Sequence, residues 1–118
     1  MSYVDGFVIP LRKKNLAAYR RLAAKAAHVW RDHGAVEYFE CVGDDFENKC
    51  GIAFPKLAKV KSGETVLFSF IVYKSKPHRD RVNAKAMKDP RIAMMDPKKM
   101  PFDAKRMAYG GFRTIVQA

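Results

Sequence analysis

The amino-acid sequence predicts an α+β domain of ferredoxin-like topology, βαββαβ. Its four-stranded antiparallel sheet is expected to carry two helices on one face and to meet a second copy of the chain through the other. Stretches of helical periodicity alternate with β-prone runs in the order strand, helix, strand, strand, helix, strand. The third strand is apolar on both faces, which is more than two helices can cover. The strands that this order sends to the sheet edges carry charges of opposite sign.

The elements follow in turn. Tyr3 to Pro10, YVDGFVIP, is apolar and β-prone, with a proline placed to end the strand. Asn15 offers an N-cap to LAAYRRLAAKAAHVWRDH, in which Leu16, Tyr19, Leu22, Ala23, Ala26, Val29 and Trp30 recur at helical spacing before Gly34. Ala35 to Val42 and Thr65 to Lys74 read as strands. Ser75 caps a second helix, SKPHRDRVNAKAMK, whose first turn tolerates Pro77. Asp89-Pro90 ends that helix and restarts a short turn, which Asp96-Pro97 stops. Arg106 to Val116 is the last strand. Between the second and third strands lies a segment, 43–64, far longer than the few residues a hairpin needs. It carries Phe46, Ile52, Phe54, Leu57 and Val60, so it is expected to fold over something: the end of its own core or a dimer seam, or, as a lid, a pocket between the sheets.

With 118 residues, 48% of them hydrophobic, the chain suffices for one domain that buries a core without disulfides. Cys41 and Cys50 form no CxxC pair and are expected as free thiols. No apolar run is long enough to span a bilayer, and the N-terminal charges follow the apolar residues, the reverse of a signal peptide; a cytoplasmic protein without a membrane partner is expected. The net charge of +11 concentrates in Arg12, Lys13, Lys14, Arg20, Arg21 and Lys25, and again in Lys98, Lys99, Lys105 and Arg106. Such charge favours anionic partners without choosing among them. An RNA reader of this strand order would place stacking aromatics behind a basic, glycine-led start on the third strand. TVLFSFIVYK has no such start, and YGGF falls on the fourth strand, so weak nonspecific nucleic-acid binding stands only as an alternative.

Strand three sets Val66, Phe68, Phe70 and Val72 on one side and Leu67, Ser69, Ile71 and Tyr73 on the other. A second sheet, from an identical chain related by a two-fold axis, would cover the face that the helices leave bare. Glu37 and Glu40 make the second strand acidic, and Arg106 and Arg113 make the fourth basic, so the edges are expected to pair between subunits. Gly110 and Gly111 would form a bulge that bends the last strand toward its partner.

The stretches YVDGFVIP, GDD, FSFIVYKS, RDRVN, DPR and above all PFDAKRMAYGGF resemble the YbaA-like family of small uncharacterised bacterial proteins, a domain of unknown function, over nearly the whole chain. That family is similar in architecture to the dimeric α+β barrels, which include cofactor-free monooxygenases, haem-degrading enzymes and stress-responsive proteins. The resemblance implies a fold and a homodimer, and no activity.

Residues that could carry chemistry are few. His28 and His33 are five apart and share no helix face, and His78 stands elsewhere; Glu40, Asp44 and Asp45 lack a calcium-loop spacing. Neither a metal nor a cofactor is expected. A small organic ligand between the sheets would be lined by Tyr38, Tyr73 and Tyr109, with Asp103 and Arg106 at the mouth, because tyrosine combines an apolar body with a polar tip. The same tyrosines suit a dimer core equally well. A cofactor-free monooxygenase-like enzyme is the remaining alternative, one that leaves little trace in sequence.

Overall fold

The computed structural model describes residues 1–118. Four strands form one sheet: β1 (Tyr3–Arg12), β2 (Glu37–Val42), β3 (Glu64–Tyr73) and β4 (Ala108–Arg113), in the order β2-β3-β1-β4 with every neighbouring pair antiparallel. Helices α1 (Leu16–Asp32) and α3 (Lys76–Lys88) cover one face. The short helices are α2 (Phe54–Leu57), within the long segment before β3, and α4 (Pro90–Ala93), just after α3. No helix is long and apolar enough to cross a membrane.

The buried core follows from period two on the strands meeting period 3.6 on the helices. Ile9 and Leu11 of β1 and Leu67 of β3 pack against Tyr19 and Ala23 of α1. Ile71 and Tyr73 meet Ala35 and Val82 at the other end. Each fully buried Leu, Ile or Val side chain contributes about 1.5–3 kcal/mol relative to an exposed one. Alanines at 17, 18, 23, 24, 26 and 27 favour helix and keep α1 slim enough to lie close on the sheet.

Several boundaries differ from the sequence expectation. Pro10 does not end β1, which runs on to Arg12 paired with Glu64. The Val66 carbonyl accepts from Gly43 N–H on the β2 side, so its partner Pro10 turns its nitrogen toward β4. That strand stops at Ala108 opposite Val8, and a proline there interrupts no ladder. Asn15 does not cap α1 with its side chain; its Nδ2 donates to the Pro101 carbonyl at 3.1 Å, tying the helix start to the segment before β4. Ser75 does cap α3, accepting from His78 N–H at 3.2 Å.

Register disposes of the bulge. β4 pairs with β1 without a break, Gly110 opposite Gly6 and Gly111 opposite Asp5. Gly111 and, on β1, Gly6 instead make room for aromatic rings on the two faces. A Cβ on Gly111 would come within 2.3 Å of the Tyr3 hydroxyl, and one on Gly6 within 3.3 Å of the Phe112 ring. Arg106 lies in a 3-10 turn (Ala104–Arg106) ahead of β4, not in the strand.

The opposite sheet face is apolar and bare over much of its area. Phe39, Phe68 and Phe112 are 45%, 44% and 61% exposed there, and Phe39 stacks on Phe70 with centroids 4.9 Å apart. The long segment crosses one end of this face, where Phe54 approaches Phe68 at 6.0 Å.

Candidate functional site

Strand alternation puts Tyr38, Glu40, Tyr73 and Tyr109 on the helix-covered face, because their ladder partners Ile71, Ser69, Tyr3 and Phe7 are themselves on it. The three candidate tyrosines therefore face the space between sheet and helices, not the bare face where a second sheet would stack. They also separate into two polar centres, one at Glu40 on the edge strand β2 and one at Asp5 on the inner strand β1.

The first centre is Glu40. Tyr19, from α1, donates its hydroxyl to Glu40 Oε1 at 2.7 Å, and Tyr38, two residues along the same strand face, donates to Oε2 at 2.8 Å. Burial, reinforced by the Glu40 charge, pushes both phenols far above their ordinary range, so they remain protonated donors. Beside them lies a cavity of 240 Å³ between β-sheet and α1, walled mainly by Phe7, Leu22, Trp30, Met95 and Phe102, with Ser69 as a further polar side chain. An apolar groove of 470 Å³ along the β2 edge shares Tyr19, Tyr38 and Glu40 with it.

The second centre is Asp5, 1% exposed in the middle of the helix face. Arg79 of α3 donates through Nη1 to Asp5 Oδ1 at 2.8 Å and to the Tyr109 hydroxyl at 3.3 Å, and its guanidinium lies 4.9 Å from the centre of the Tyr3 ring. Tyr73 and Trp30 both donate to Asn83 Oδ1 at 3.0 Å. Burial pushes the Asp5 carboxyl above its usual range, against the Arg79 charge and the Asn83 and Tyr73 side chains, which pull it down. No buried side-chain nitrogen or oxygen lacks a partner, so this centre is a closed network.

The remaining predicted residues are placed apart. Arg106 donates to Glu64 Oε2 at 2.7 Å and Oε1 at 2.9 Å, and to the Lys59 carbonyl at 3.0 Å. Asp103 accepts from Lys105 N–H at 3.0 Å and caps its turn. Glu40 and Arg106, expected to meet across a seam, each have partners within their own chain. Glu37 and Arg113 are exposed on the two edge strands at the same end of the sheet. His33 contacts Asp89 at 2.8 Å, and no cluster of three or more His, Cys, Asp or Glu gathers anywhere. Tyr19 and Arg79 escaped the sequence reading. Tyr19 was legible only as an apolar helix position, and Arg79 only as one cation among many.

A family model described as "Protein of unknown function (DUF1428)" matches residues 2–104. The chain belongs to this family. It is 43% identical over 116 residues to "Uncharacterized protein YbaA" of Escherichia coli strain K12, covering 98% of each chain, and equally to the protein of that name from Shigella flexneri. Among solved structures, the de novo designed protein Foldit4 aligns over 97% of this chain and 99% of its own with a TM-score of 0.49 and 11% identity.

Proposed function

We propose that the protein is a ferredoxin-like homodimer that binds a small, mostly apolar ligand bearing one hydrogen-bond donor. The ligand occupies the cavity beneath α1 with its donor directed at Glu40. The observation that carries this reading is that both tyrosine hydroxyls direct their hydrogens to the same carboxylate. The polar end of the cavity is thus left with lone pairs and no free phenolic hydrogen, a setting that favours an amine, alcohol or phenol over a carboxylate or ketone. Supporting the dimer are the edge positions of β2 and β4 and the exposed phenylalanines of the bare face.

Thermal melting with phenol, benzylamine, benzoate and toluene tests the ligand class. Phenol or benzylamine should raise the melting temperature and the other two should not. Glu40→Gln should remove the response, while Glu37→Gln, at the exposed start of the same strand, should keep it. A response to toluene equal to that of phenol would reduce the site to an unselective apolar void.

A further inference from the structure

We infer that the end of the sheet remote from Asp5 holds a second site, for a phosphate group. A depression of 690 Å³ opens where β1 passes into α1 and where the chain enters β3. Arg12, Lys14, Lys61 and Arg106 line it, against the acids Glu64 and Asp103. The acids are already engaged: Glu64 by both terminal nitrogens of Arg106, and Asp103 by its own turn. Arg12, Lys14 and Lys61 take part in no ion pair. Arg106 and Glu64 cancel each other, and Asp103 is the one acid left against Arg12, Lys14 and Lys61, so the recess keeps an excess of positive charge. A recess focuses that field more than an open surface does.

The backbone that carries these charges is fixed. Lys13 N–H donates to the Gly63 carbonyl at 3.0 Å, joining the turn that holds Lys14 to the turn that follows Lys61. Lys61 N–H donates to Glu64 Oε1 at 2.7 Å, and Glu64 N–H returns to the Lys61 carbonyl at 3.0 Å. Glu64 is consequently both the partner that occupies Arg106 and the clamp that orients the Lys61 turn. Two lysines and an arginine around a mainly polar cleft suit a compact, multiply charged oxyanion better than a planar monocarboxylate. The site is separate from the Glu40 cavity, and Met100 and Phe102 form part of the wall of both.

Isothermal titration at fixed ionic strength with inorganic phosphate, glycerol 3-phosphate and acetate tests the assignment. Phosphate or its ester should bind at least tenfold more tightly than acetate, and the tighter of the two identifies the free ion or the ester as the natural form. Lys61→Gln and Arg12→Gln should each weaken binding about tenfold or more. Lys85→Gln, on the exposed side of α3, and Glu40→Gln should leave it unchanged. Equal affinity for acetate and phosphate, or equal weakening by Lys85→Gln and Lys61→Gln, would overturn the proposal. Arg12→Lys, which keeps the charge if Arg12→Gln fails to fold, should retain most of the affinity.

Discussion

The two faces of the sheet solve opposite problems. On the helix face, polar groups are buried in number and each finds a partner: Asp5 with Arg79, Glu40 with Tyr19 and Tyr38, Asn83 with Trp30 and Tyr73. On the bare face, phenylalanines lie exposed beside one another with no such network. The contrast shows that specificity within the chain is held on the helix face. Hydrogen-bonded charges fix the way the helices dock, since a misplaced helix would strand a buried charge. An apolar face sets little orientation by itself and is satisfied by any surface that excludes water.

Breaking the polar side should have the largest effect. Arg79→Ala leaves Asp5 buried without its cation and should cost about 3–5 kcal/mol of folding stability in urea denaturation. A loss below about 1 kcal/mol would mean that Asp5 is readily neutralised and the ion pair contributes little. On the bare face the response should be the reverse, with assembly lost and the fold retained. Phe68→Asp is expected to weaken the proposed dimer about a hundredfold or more in sedimentation equilibrium, since it buries an unpaired charge at the seam. If the unaltered protein sediments as a 13.4 kDa particle at micromolar concentration, the bare face has some other purpose.

The glycines sharpen the comparison at a single pair of residues. Gly111→Ala on the helix face would push a methyl group into the Tyr3 ring, and should cost about 1–3 kcal/mol in overpacking. Gly110→Ala on the bare face meets nothing nearer than 3.7 Å and should be close to neutral in the same denaturation assay. A smaller effect is expected in the pH dependence of melting. Hydrogen bonds from the Arg106 side chain and then the Lys61 backbone lower the Glu64 carboxyl to about 2. A depressed acid stabilises the fold above its unfolded value, near 4.5, and loses that contribution as pH falls toward 2. Glu64→Gln should therefore flatten the acid limb of the melting curve between those values while leaving the neutral limb parallel to the original.

Periodicity made α1, α3 and all four strands legible, and the alternation of β3 announced an apolar face beyond the reach of two helices. The candidate site was legible only in part. Tyr38 and Glu40 were singled out, but for different roles, and nothing local showed that Tyr38 donates to Glu40 or that Tyr19 of α1 donates to the same carboxylate. Glycine doublets in strands commonly mark bulges; here Gly111 gives room to the Tyr3 ring of β1, while Gly110 meets nothing nearer than 3.7 Å. That cause is invisible until β1 and β4, more than a hundred residues apart in sequence at Tyr3 and Arg113, are aligned.

Sequence alone determined what depends on near neighbours: turn and cap chemistry at Ser75 and Asp89, the helical stripe of α1, and the two-sided hydrophobicity of β3. Tertiary structure decided every pairing of side chains that carries the chemistry. Arg106 reaches Glu64 across 42 positions of sequence and Arg79 reaches Asp5 across 74. Such choices depend on strand register, where a slip of one residue would turn Glu40 to the bare face and Phe39 to the helices. Charge, by contrast, acts at a distance and in any direction, so the composition could announce an abundance of cations without saying that Arg106 would be neutralised and Lys61 left facing an open cleft.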